Sequence, residues 1–133
     1  MKNYRILILI AFILVTVPAV AQNKARFSDI KPGMTDKIME HQAIILANRR
    51  GTNFCWHEDY SKAKIISTKW QPDLDKNGFI RGRIIHIELY GQFLNGKCIM
   101  TDFTYKQKLL PDDTYSDMLY YDSAGDMVYA ECE

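Results

Sequence analysis

The fold turns on residues 79–107, FIRGRIIHIELYGQFLNGKCIMTDFTYKQ. Ile85, Ile87 and Leu89 alternate with His86 and Glu88; beyond Asn95-Gly96, Phe103 and Tyr105 alternate with Asp102 and Thr104. Period-two patterning on both sides marks two half-buried strands, and Asn-Gly between them marks a hairpin. A two-residue turn at Asn95-Gly96 would set Leu89 opposite Asp102 and Ile87 opposite Thr104, placing polar side chains on the apolar face. A slip of one residue corrects this, so that Leu89 meets Thr101, Ile87 meets Phe103 and Ile85 meets Tyr105. Strand glycines mark bulges, so the slip predicts a bulge at or near Gly91.

The preceding hairpin follows from Asn77-Gly78, taken as a two-residue type I′ turn. It pairs Trp70 with Ile85, Thr68 with Ile87 and Ile66 with Leu89 on one face. On the other face it pairs Lys69 with His86 and Ser67 with Glu88. Turn signals at Pro111-Asp112-Asp113 and Ser123-Ala124-Gly125 complete a set of strands expected near 53–57, 63–71, 79–91, 97–107, 115–121 and 127–132. Upstream, residues 22–31 read as a polar leader and Pro32-Gly33 as a break. Thr35 is placed to cap a helix running to about Arg50, with Gly51 as its stop. Met34, Ile38, Met39, Ile45 and Leu46 recur at helical spacing as its buried stripe. The expected architecture is α+β: one N-terminal helix packed on an antiparallel β-meander of about five or six strands. Its core is Ile66, Trp70, Ile85, Ile87, Leu89, Phe103 and Tyr105 against the helix.

Lys2 and Arg5, the apolar run 6–17, Pro18 and the small residues Ala19 and Ala21 have the pattern of a secretory signal peptide over residues 1–21. The run is too short to span a bilayer, so no membrane span is expected after cleavage. Residues 22–133 then form a single α+β domain, and the expected location is periplasmic or secreted. Without Lys2 and Arg5, 15 of the 17 basic residues face 16 acidic ones. The charge is balanced and unclustered, which argues against nucleic acid as a partner. Cys55, Cys98 and Cys132 enter an oxidising compartment as an odd set. Cys98 and Cys132 can pair, and Cys55 competes.

Chemistry-bearing patterns are few. Asp73, Asp75 and Asn77 followed by Gly78 match the start of a calcium loop, but Arg81 and Ile84 stand where the later ligands belong and the flanks are strands. A solvated hairpin tip accounts for them better, and no metal or other cofactor is expected. With the slipped register Glu88 faces Asp102, flanked by His86, Thr104 and Lys69. Two opposed carboxylates repel, and the pair is relieved by Lys69, by a raised pKa or by a cation. His86, Glu88, Asp102 and Lys69 are therefore the candidate binding group, weighed against a simply wet sheet face. Cys55 and His57 share a strand face about 7 Å apart, too far to act as a nucleophile–base pair. His41 has no second ligand one helical turn away. No catalytic motif is present, and no catalytic residue is assigned.

The segment DIKPGMTDKIM, residues 29–39, resembles the I-x-x-G-M-T helix entry of the small barrel-assembly lipoproteins of outer membranes, through Ile30, Gly33, Met34 and Thr35. It is also similar to the related folds of secreted β-lactamase inhibitor proteins. That resemblance implies helices on an antiparallel sheet and action through protein contacts. The expected function is a small exported, non-catalytic protein-binding module of the bacterial envelope, of inhibitor, immunity or assembly-accessory type. Its partner would be another envelope or secreted protein. The alternative is a cystatin-like or NTF2-like fold whose sheet encloses a pocket for a small ligand or a weak enzymatic role.

Overall fold

The computed structural model describes residues 24–133; the expected leader, residues 1–21, lies outside them. One helix, α1 (Lys37–Asn53), precedes five strands: β1 (Glu58–Ile65), β2 (Gln71–Leu74), β3 (Ile80–Phe93), β4 (Cys98–Lys108) and β5 (Tyr120–Tyr129). The strands form one antiparallel, meander-like sheet in the order β1-β3-β4-β5, and β2 also pairs with β3. The molecule is α+β.

The β3–β4 register is the slipped one: Ile85 pairs with Tyr105, Ile87 with Phe103, Glu88 with Asp102 and Leu89 with Thr101. The extra residue, however, is not at Gly91, where this pairing is regular. It sits in the hairpin tip. Phe93 N–H donates to Lys97 C=O at 2.9 Å, which closes a three-residue loop with Gly96 at φ 78°. The loop at Asn77-Gly78 is built the same way, with Asp75 N–H on Phe79 C=O at 2.9 Å and Gly78 at φ 83°. There a register shift between Asp73 and Leu74 restores the expected pairing, so Gln71 meets Ile84. After Gly96 nothing restores it, and the slip runs the length of β4. Gly91 serves a different contact: a side chain there would lie 2.1 Å from the Asp59 carbonyl, opposite the irregularity between Tyr60 and Lys62 in β1.

Four expected strands are corrected, the last two, 115–121 and 127–132, by merging into β5. Residues 53–57 end the helix instead of forming a strand. Residues 63–71 do not form one strand; the chain leaves the sheet after Ile65, which itself pairs with Ile87, and re-enters at Gln71. The pairs Thr68–Ile87 and Ile66–Leu89 are therefore absent. Ser123-Ala124-Gly125 is not a turn but part of β5, which absorbs it in two register shifts against β4. Such shifts at a sheet edge discourage pairing with stray strands.

The helix is capped by Asp36, one residue beyond Thr35; its carboxylate accepts the Met39 N–H at 3.0 Å. Gly51 does not stop it. The helix continues to Asn53, Cys55 takes a left-handed φ of 56°, and Trp56 N–H reaches back to the Gly51 carbonyl at 2.8 Å. Its buried face is Glu40 and then Ala43, Ala47 and Gly51, three small residues one turn apart, whereas Ile38 and Ile45 of the expected stripe are 75% and 42% exposed. Small side chains let the helix backbone approach the sheet closely enough for the Tyr105 O–H to donate to the Ala43 carbonyl at 2.9 Å. Asn48 binds the Tyr60 backbone through both ends of its amide, at 2.8 and 2.9 Å, and so satisfies the edge of β1. The core beneath α1 contains Ile85, Ile87, Leu89, Phe103 and Tyr105 as expected, with Ile65, Ile99, Tyr60 and Leu119 added. Trp70 is half-buried against it.

The opposite face is not uniformly wet. The supposed polar leader buries Phe27 in a second cluster with Tyr90, Cys98, Met100 and Ala130. A Cys98–Cys132 disulfide pins the end of the chain beside it, and Cys55 is free and exposed.

Candidate functional site

His86, Glu88, Asp102 and Thr104 occupy the part of this second face left open, because β3 and β4 send alternate side chains away from the helix. Thr104 Oγ1 lies 3.1 Å from His86 Nδ1, and Asp102 Oδ1 lies 3.9 Å from the same nitrogen, beyond hydrogen-bond reach. That Asp102 oxygen is sealed from solvent and accepts no hydrogen bond from the described residues. Burial, aided by the neighbouring Asp102 charge, pushes the Glu88 carboxyl up to about 6. Burial also raises Asp102, opposed by His86. The arrangement can hold a proton at mildly acidic pH.

Lys69 does not join this group. It sits exposed on the connection between β1 and β2, and the His86 N–H donates to Ser67 Oγ at 2.9 Å. The cation opposite Glu88 is Lys64. Its ammonium is tied to the carbonyls of Phe27 and Ile30 at 2.7 and 2.9 Å, and it lies over the Phe27 ring. The sequence register placed the wrong lysine because the chain leaves the sheet after Ile65. The grooves beside the disulfide, along α1 and beside the Asp73–Arg81 pair are lined by residues other than His86, Glu88 and Asp102.

The calcium candidates are engaged elsewhere. Both oxygens of Asp73 accept from Arg81, at 3.0 and 3.2 Å, and Asp75 Oδ1 accepts the Asn77 and Phe79 N–H groups at 2.8 and 3.0 Å. Among the described residues no cluster of His, Cys, Asp or Glu is arranged to hold a metal ion.

A different surface went unread in the sequence. Along α1, an apolar groove of about 180 Å³ runs between Ile45, Leu46 and Arg49 on the helix and Met118 and Leu119 on the approach to β5. At Gln42 it adjoins a second groove of about 380 Å³ that reaches Ile38, Arg83 and Asp117. Gln42 Oε1 accepts the Leu119 N–H between them. Ile38 and Met118 stand 75% and 62% exposed on its rim. The signal was present: Ile38 and Ile45 lie seven residues apart, off the face marked by Ala43, Ala47 and Gly51.

No protein family, curated protein or solved structure matches this chain. Among the described residues no helix is long and apolar enough to cross a membrane.

Proposed function

We propose that the protein is a small exported, non-catalytic protein-binding module of the bacterial envelope, and that it docks its partner on the groove between α1 and residues 117–119. The exposure of Ile38, Ile45 and Met118 along two grooves that adjoin at Gln42 carries this reading. Clustered exposed aliphatic side chains mark interaction surfaces, whereas scattered ones do not. Covering each returns roughly 1–2 kcal/mol at the usual value per unit of apolar area. The leader-like start of the sequence supports export.

The test compares retention from envelope extract by the mature wild-type chain and by an Ile45→Glu, Met118→Glu double variant. Both substituted side chains already face water, so the variant keeps the circular dichroism and melting behaviour of the parent. Specific retention by the wild type that the double variant loses upholds the proposal. Equal retention by both places the contact elsewhere, and absence of any specific protein rejects the reading. Small-ligand binding is the second reading, favoured by the polar adjoining groove around Arg83.

A further inference from the structure

Arg83 projects from β3 on the helix-facing side of the sheet, in step with Ile85, Ile87 and Leu89. An arginine on that side needs support, and it has it. The guanidinium carbon lies 4.1 Å from the centre of the Trp70 ring and 4.3 Å from that of Tyr115. Nε–H donates to Oε1 of Gln107 at 2.9 Å, and Gln107 is itself only 5% exposed. Two rings and one buried amide thus fix the plane of the fork.

A counter-ion is what it lacks. Arg26 and Arg81 pair with Glu131 and Asp73; Arg50, stacked over Phe54 and Tyr121, shares the lack with Arg83 among the described residues but lines neither groove along α1. Arg83 has no carboxylate within ion-pair distance among the described residues, and its remaining N–H donors meet no acceptor there. Burial lowers its pKa, but a guanidinium stays charged at any physiological pH. A half-buried, immobilised cation without an anion is unfavourable unless something supplies the charge. The fork opens on the groove of about 380 Å³, whose walls include Ile38 and Met39, with Asp36 and Asp117 also lining it.

We propose that this groove recognises an α-carboxylate bearing an apolar side chain. The carboxylate lies on the free N–H pair of Arg83, and the side chain lies on Ile38 and Met39. A planar carboxylate matches a guanidinium fork through two parallel hydrogen bonds. Asp36 and Asp117 oppose a doubly charged phosphate more strongly than a singly charged carboxylate. The inference rests on the protein-binding reading, where the carboxylate is the C-terminus of the partner; a free amino acid presents the same chemistry.

The test titrates the mature wild-type chain with N-acetyl-leucine, N-acetyl-leucinamide, leucine and inorganic phosphate. The readout is the NMR signals of the Arg83 Nε–H and the Trp70 indole. N-acetyl-leucine is expected to move both signals saturably, with the amide at least tenfold weaker. Arg83→Met, which keeps the stem between the rings, loses the response, and Arg83→Lys weakens it about tenfold. N-acetyl-leucine binding tighter than leucine assigns the site to peptide C-termini; the reverse order assigns it to free amino acids. Equal affinity for acid and amide, preference for phosphate, or no saturable shift at millimolar N-acetyl-leucine overturns the proposal. The two readings fail separately. A partner retained equally by wild type and Arg83→Met leaves the binding module standing without carboxylate recognition. N-acetyl-leucine binding without any retained protein does the opposite.

Discussion

Glu88→Gln should make the protein more stable at neutral pH and leave it unchanged in acid. Glu88 faces Asp102 across β3 and β4, half-buried, while the opposing Lys64 is engaged with Phe27 and Ile30. Its pKa rises from 4.5 to about 6, first through burial and then through Asp102. A carboxyl whose pKa is raised by folding favours the native state when protonated. That stability is complete below about pH 4.5 and is lost as pH climbs through about 6. The rise corresponds to roughly 2 kcal/mol between protonation states. Water on the open side of the sheet screens the charge and reduces this to about 1 kcal/mol. Glutamine keeps the shape without the charge. Urea unfolding at pH 7.5 should therefore show Glu88→Gln stabilised by about 1 kcal/mol, and at pH 4.5 by near zero. A difference that does not change with pH, or a destabilised variant at pH 7.5, would refute the reasoning.

Three further outcomes are expected in the same assay. Gly51→Ala stabilises by about 0.5–1 kcal/mol, because the residue is helical and an added methyl meets nothing nearer than the Trp56 Cβ at 3.5 Å; a loss would show that the buried face has no room. Gly91→Ala costs at least about 3 kcal/mol, because its methyl would lie 2.1 Å from the Asp59 carbonyl and 2.6 Å from Tyr60 Cα, both backbone; a change near zero would mean that β1 does not sit where described. The Cys98→Ser, Cys132→Ser double variant loses about 4 kcal/mol in the chain-entropy picture of a 34-residue closure, with loosening reported first by Phe27 and Tyr90; unchanged stability would mean that the bridge constrains nothing.

The pairing of β3 with β4 was legible because one face would otherwise have been half polar, and only one slip cured that. Where the slip occurs was not legible. A glycine inside a strand and one in a turn are both bulge markers, and Gly91 and Gly96 compete for the role. The helix was found, and Met34, Met39 and Leu46 of its expected stripe do pack on the core, but Ile38 and Ile45 do not: they outweigh Ala43, Ala47 and Gly51 in hydrophobicity, whereas close approach to a sheet selects for small size. His86, Glu88 and Asp102 came together as expected because they depend on that one register. Lys69 was lost because it depends on another, broken after Ile65. The site around Arg83 was not read, although the residue's parity puts it beside Ile85 on the core-facing side. Of its aromatic partners, Trp70 follows from the hairpin at Asn77-Gly78, whereas Tyr115 comes from the connection between β4 and β5, which no local pattern brings to it.

The close contact of α1 through Ala43, Ala47 and Gly51 separates two jobs along a single helix. Positions 38, 45 and 49, with Met118 across the groove, can be exchanged freely while the layer beneath stays the same. On the proposed reading, a library randomised at those four places yields variants alike in melting behaviour and unlike in what they grip, so specificity drifts over a chassis that hardly changes.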